Sequence, residues 1–213
     1  MIEQRANTAN TANPPDPALK AATLGLLAAW IAHDLEEVAT MARWSRTRVP
    51  VLRERHPRVP ERFWRSVTDV DGREFATAVG FMGLIVAAAA ADGLRTGGRS
   101  AFYQASLHGF GLHGLVHLAN SAATRGYSPG VVTSPLIVVP FTLWARGRLR
   151  RAGVLRPTRA RDAVLGLGLA AAATATTHAA ARLIRRPALV PPGGCRSFTP
   201  HGAPADHRGA GRR

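Results

Sequence analysis

The chain has 213 residues, 28 Lys+Arg against 13 Asp+Glu, and a formal net charge of +15. That length allows one domain with tails. Apolar residues make up 46 %, too many for a disordered chain, and the single cysteine, Cys195, excludes an internal disulfide framework and any Cys-based zinc site.

A mean hydropathy of −0.03 hides a segregation. The apolar residues fall in five blocks and the arginines fall between them, the pattern produced when charge is kept out of hydrocarbon. Residues 1–18 are polar, with an Asn/Thr/Ala/Pro-rich run, and read as a disordered tail. The first block, Lys20–Ala42, is expected to be a retained helix and not a signal peptide, because the segment before it is not net basic and the small-residue cleavage pattern is poor. The second block is Phe75–Leu94 and the third Ala101–Ala123. The fourth, Val131–Ala145, is shorter and carries Pro135 and Pro140, which predict a kink or a re-entrant segment. The fifth is Asp162–Ile184, and residues 187–213, rich in Pro, Gly and Arg, read as a second disordered tail.

A membrane-crossing helix needs about 20 residues, which blocks one, two, three and five supply. The expected fold is therefore all-α: a multi-pass helical bundle of about five transmembrane helices over residues 19–186, in the cell membrane. The loop Arg43–Glu74 holds nine Lys/Arg and Arg146–Arg161 seven. Within the first, Pro60–Val67 has the pattern of a short interfacial helix with Phe63, Trp64 and Val67 toward lipid. Arginines also suit nucleic-acid backbones. Beside apolar spans they read as topogenic, so the expected partners are membrane lipids, with anionic headgroups at the arginine-rich loops and no nucleic acid.

Polar residues inside the blocks carry the functional signal. The first block contains His33-Asp34-Leu35-Glu36-Glu37. Residues at i, i+3 and i+4 share a helix face, so His33, Glu36 and Glu37 are expected to point the same way. Each ionised carboxylate near the bilayer centre costs about 2.5–3.5 kcal/mol on insertion scales, so a metal, a cation, shared protons or a water-filled cavity is implied. The third block adds His113 and His117 at i, i+4, with Asn120 one turn on, among Gly109, Gly111 and Gly114, which would let a neighbouring helix approach. The fifth block adds His178. Glu36, His117 and His178 each fall at the 17th position of their blocks, which permits one shared site. Imidazole with carboxylate suits zinc or iron. The expected metal ligands are His33, Glu36, His113 and His117, with Glu37 as general base and Asn120 and His178 in a second tier. The soluble zinc-protease signature His-Glu-x-x-His is absent from the sequence.

His33-Asp-Leu-Glu36-Glu37 reads His-x-x-Glu-Glu. With Leu112-His113-Gly-Leu-Val-His117 and Arg125-Gly-Tyr127-Ser-Pro129-Gly130-Val-Val-Thr133 after it, the chain resembles the HXXEE domain family of small multi-pass bacterial membrane proteins. The resemblance spans roughly residues 20–184 and implies a multi-pass domain with weight on His33, Glu36, Glu37 and His117. The family has no established activity to carry over. The Arg125–Gly130 stretch reads as a structural turn, with Tyr127 at the interface. Three functions stay open: a metal-dependent hydrolase of a membrane-embedded substrate, a proton or cation carrier or sensor, and a structural membrane protein.

Overall fold

The computed structural model describes residues 16–68, 70–157 and 160–185. The expected tails, residues 1–15 and 186–213, lie outside the described residues, and Cys195 with them. The described residues are all-α, with no strand among them.

The first helix, α1, runs Pro17–Arg55, 39 residues. Proline suits the first helical turn, and Asp16 Oδ1 accepts from the Ala18 N–H at 2.9 Å. At 1.5 Å per residue α1 is roughly 58 Å long, well beyond a bilayer's hydrocarbon core. It therefore passes the expected end at Ala42, and much of the expected arginine loop is helix. Arginine is a good helix former, so a charged stretch marks the end of an apolar span but not the end of the helix. Pro50 sits within α1.

The short helix α2, Glu61–Thr68, folds back on the distal part of α1. Trp64 is buried against Val49 and Leu52. This corrects the expectation that Trp64 faces lipid; of the three aromatic and aliphatic residues named there, Phe63 is the exposed one.

Helix α3, Gly72–Arg95, is capped by Asp71, whose Oδ1 accepts from the Arg73 N–H at 2.7 Å. Helix α4, Ala101–Thr124, is capped by Ser100 and ends at Arg125 in the left-handed region, φ 49°. After a loop, a π-helical turn, Ser134–Val138, leads directly into α5, Val139–Arg151. The fourth block is thus helical throughout this stretch. Pro135 sits in its first turn, and the wider turn takes up Pro140, which has no N–H to continue an α ladder. Helix α6 is Ala160–Arg185.

α1 lies along α3 in antiparallel sense: Gly83 meets Trp30 and Gly72 meets Ala42. The main core joins Leu26 and Ala29 of α1, Tyr103, Leu107 and Phe110 of α4, and Ala145 and Leu149 of α5. Tyr103 donates its hydroxyl to the Ala22 carbonyl at 2.8 Å. The glycines of α4 do what small residues do at helix contacts. A Cβ on Gly114 would lie 2.8 Å from Val138 Cγ1, and one on Gly111 2.6 Å from Thr142 Cγ2.

Large apolar side chains stand on the surface, and several polar ones are buried beside the apolar core. Ile31, Leu35, Leu84, Val116, Leu143 and Leu183, from five helices, point outward, whereas Thr23, His33, Asp34, Glu37, Gln104 and Thr142 are buried. Among the described residues, α1 and α3 are the helices long and apolar enough to cross a membrane. α4 has the length, but Gln104, His108, His113, His117 and Asn120 lower its average hydropathy.

Gly114→Leu is expected to destabilise the purified protein by about 1–3 kcal/mol, the cost of overpacking against a stiff β-branched neighbour. Gly109→Leu is expected to leave the thermal midpoint the same or raise it, since no described atom lies within 4 Å of where its Cβ would stand and glycine is a poor helix former. Thermal unfolding of the two variants side by side checks both.

Candidate metal centre

Two helices and one loop build the site. On α1, residues four apart lie nearly in line, so His33 and Glu37 turn together toward α4. There His113 and His117 repeat the same spacing. The ring centroids are 5.1 Å apart for His33 and His113, 5.0 Å for His33 and His117, and 4.3 Å for His113 and His117. One nitrogen from each imidazole and one Glu37 oxygen all lie within 4.8 Å of one another. His117 Nε2 is 2.9 Å from His113 Nε2 and 3.1 Å from Glu37 Oε1. His33 is fully buried, yet its Nε2 has no hydrogen-bond partner among the described residues. A buried acceptor left unpaired costs about 1–3 kcal/mol. A cation among three imidazole nitrogens and a carboxylate would satisfy every one of these atoms at once, so the residues present fit a transition metal.

Glu36 is placed elsewhere. It is expected as a metal ligand, but it stands outside this group. Successive helix positions are about 100° apart, so Glu36 and Glu37 fall on either side of His33 and only one of them can join it. Glu36 instead turns to the loop after α4. Its Oε1 accepts from the Tyr127 hydroxyl at 2.9 Å and the Val132 N–H at 3.3 Å. Its Oε2 accepts from the Thr133 N–H at 2.8 Å and the Thr133 hydroxyl at 2.6 Å.

That engagement orients a ring. The Thr133 hydroxyl has one proton and gives it to Glu36. It therefore accepts from His33 Nδ1–H, 2.8 Å away. With its proton on Nδ1, the His33 imidazole keeps the lone pair of Nε2 free toward the centre, the form that ligates metals. His117 is fixed in a parallel way by a hydrogen bond to the backbone of Pro129, necessarily the carbonyl because proline has no N–H. Gly130 closes the loop over both rings. Its φ is +80°, and a Cβ there would lie 2.8 Å from His117 Nδ1 and 2.9 Å from His33 Cε1. Only glycine meets both demands.

The stretch read as a structural turn is therefore part of the site. Thr133, Pro129 and Gly130 were not among the expected site residues. Their signal was the Tyr-x-Pro-Gly segment itself, whose position after a two-histidine helix lets it fold back over that helix. Tyr127 bonds to Glu36 and Thr40, while its own carbonyl accepts from Trp44 Nε1 at 2.8 Å.

The second tier is not brought in. Asn120 is exposed, one turn beyond His117. His178 lies between α6 and α3, its Nδ1 3.9 Å from Glu74 Oε1 and its ring 5.9 Å from that of Phe75. Asp92 closes the far end of α3, accepting from Ser100 Oγ and from Arg95 Nη2 at 2.6 Å. Asp34 is buried one turn before Glu37, and its Oδ2 has no partner among the described residues.

A family model described as "Protein of unknown function with HXXEE motif" matches residues 24–145, more than half of the chain, and the chain belongs to that family. No curated protein and no solved structure matches.

Thr133→Val keeps the shape of the side chain and removes the hydroxyl between Glu36 and His33. It is expected to weaken zinc binding about 10–100-fold, the usual cost of losing a partner that orients a ligand. Thr133→Ser is expected to stay within a few-fold of the parent. Competition with a zinc-chelating dye measures both.

Proposed function

For this member of the HXXEE family we propose an integral membrane metalloprotein in which His33, His113 and His117 hold a zinc or iron ion beside Glu37, and in which that centre carries out metal-dependent hydrolysis of a membrane-embedded substrate. The observation that carries the reading is the convergence of three imidazoles and one carboxylate, with ligand atoms within 4.8 Å of one another.

The membrane setting is supported by large apolar side chains exposed on five helices and by polar groups buried among them. Monomeric soluble proteins rarely expose extended apolar patches. We place α1, α3, α4, α5 with its π-turn, and α6 as the five spans. α4 scores low in hydropathy because it carries the site, and intramembrane polar groups mark function. The arginines of distal α1 and of α2 then lie at the headgroups, where anionic lipids attract them.

Three protein ligands with an open position are the pattern of hydrolytic metal sites. An ion held there supplies Lewis-acid activation of a water or a carbonyl. Glu37, 6 % exposed, is within 3.1 Å of His117 Nε2 and is placed to accept a proton beside that position. Glu36 contributes indirectly, by fixing Thr133 and through it His33. A second reading is a proton or cation carrier or sensor. Asp34 favours it, as a buried carboxyl without a partner among the described residues, on the face next to Glu37.

Elemental mass spectrometry on the detergent-purified full chain tests the centre. Near one zinc or iron per chain is expected. The metal is expected to vanish in His33→Ala and to persist in Glu37→Gln, with circular dichroism confirming that both variants are helical. In the hydrolase reading Glu37→Gln also loses turnover of chromogenic acyl esters. Absence of metal after reconstitution of the folded parent overturns the metal centre. Metal without ester turnover, together with pH-dependent cation flux in liposomes, selects the carrier.

A further inference from the structure

The four groups of the centre differ sharply in access. His33 and Glu37 are buried and His117 is half-buried, but His113 is exposed. The other approaches are closed. On the loop side, Ser128, Pro129 and Gly130 are buried, with Gly130 against the His117 and His33 rings. Toward the opposite end Phe110, 6 % exposed, stacks edge-on with His33 at 5.9 Å, and Leu107 is buried one turn further. The outer face of α4, where His113 is exposed, is an open approach among the described residues.

That face is open along a whole stripe. Gly109 stands four residues before His113 and Val116 three residues after it, on the same side of the helix. No described atom lies within 4 Å of where a Gly109 Cβ would stand, and Val116 is 55 % exposed. Phe102, in register with them three turns earlier, is also exposed. The stripe is apolar except at half-buried Ser106, at His113 and at exposed Asn120. His113 and His117 lie 11 and 7 residues before the end of α4 at Thr124, about 10–17 Å along the axis. If the end of α4 is at the headgroups, the centre sits in the outer part of a hydrocarbon core about 30 Å thick.

From this geometry, and resting on the proposed metal centre, we infer that the site is entered sideways from the bilayer along the Gly109–His113–Val116 stripe, and that its substrates are single-chain or diacyl amphiphiles whose oxygen-bearing head reaches the centre while the apolar chain lies on α4. Exposed Phe102 and Val116 and the Gly109 gap offer an acyl chain an apolar surface on either side of His113. An ester or amide at the root of an acyl chain arrives at the matching depth with its chain already in contact with Phe102 and the Gly109 gap.

Hydroxamates bind zinc and iron through two oxygens, so a chain-length pair reads the entry route. The full chain is loaded with cobalt in lipid nanodiscs, and the visible spectrum of the ion reports binding of acetohydroxamate and of dodecanohydroxamate. Gly109→Trp sets a bulky ring at a position where the Cβ meets no described atom within 4 Å. It is expected to weaken dodecanohydroxamate at least tenfold while leaving cobalt content and acetohydroxamate binding unchanged. Partitioning into the disc is the same for parent and variant, so it cancels. Val116→Trp plugs the other side of His113 and gives the same reading should Gly109→Trp fail to fold. Undiminished dodecanohydroxamate binding in a folded, cobalt-loaded plug variant overturns lateral entry and leaves the metal centre standing. A parent that takes up no cobalt, zinc or iron overturns the metal centre itself.

Discussion

Glu36 ties the loop after α4 to the middle of α1, and the orientation of the centre depends on that tie. Four donors from three residues converge on one carboxylate. Hydrogen bonds to a charged acceptor are about twice as strong as neutral ones. Once Glu36 is held, Thr133 has no freedom in the direction of its proton, and His33 has none in its tautomer. The same loop brings the Pro129 carbonyl to His117 and Gly130 over both rings. Two helices supply the ligands, but a loop decides which of their atoms face inward.

The rest of the bundle is arranged to let α4 come close. Gly111 and Gly114 remove side chains where α5 and its π-turn cross, while the larger residues of α4 that face inward, Tyr103, Leu107 and Phe110, fill the core at the other end. The π-turn follows from the same demand. A regular α-helix through Pro135 and Pro140 would put a carbonyl against the second proline ring, and one wide turn removes the clash while keeping Val138 against Gly114 and Ser134 bonded to the Gly130 carbonyl at 2.7 Å. The helix contact and the loop over the His33 and His117 rings are therefore one structural unit, joined at Ser134.

Much of this was legible in the sequence. The second, third and fifth blocks differ from α3, α4 and α6 by at most three residues at either end, because apolar runs bounded by Gly, Pro and Arg mark helices well. The i, i+4 pairs His33/Glu37 and His113/His117 gave the centre, since helical spacing alone puts each pair on one face. The sequence could not divide the work between Glu36 and Glu37. Both are within reach of His33's face, and only the positions of α4 and the loop break the tie. Thr133 was invisible for the same reason: its part depends on a contact made 97 residues away in sequence. His178 failed for a different reason. Equal position within a block fixes depth along the bundle axis, not the side of the bundle, and α6 presents His178 to Glu74 of α3. The continuation of α1 to Arg55 was missed because hydropathy reports where a helix leaves an apolar setting, and arginine is as content in a helix as out of it.

Charge balance accounts for the third acid of the motif. Glu36 is bonded to four donors and remains a negative charge close to His33, His117 and Glu37. Glu37 and Asp34 are different. They are one turn apart on α1, and neither is paired with an arginine or lysine among the described residues. Three neutral imidazoles add nothing to the sum. In the proposed metal-bound state a divalent ion would set two positive charges against these carboxylates. In a low-dielectric interior neutrality dominates the energetics, because an uncompensated charge costs several kcal/mol even after relaxation. Asp34 then needs no direct bond to the ion. Its place one turn from Glu37 would be enough for it to count in that balance.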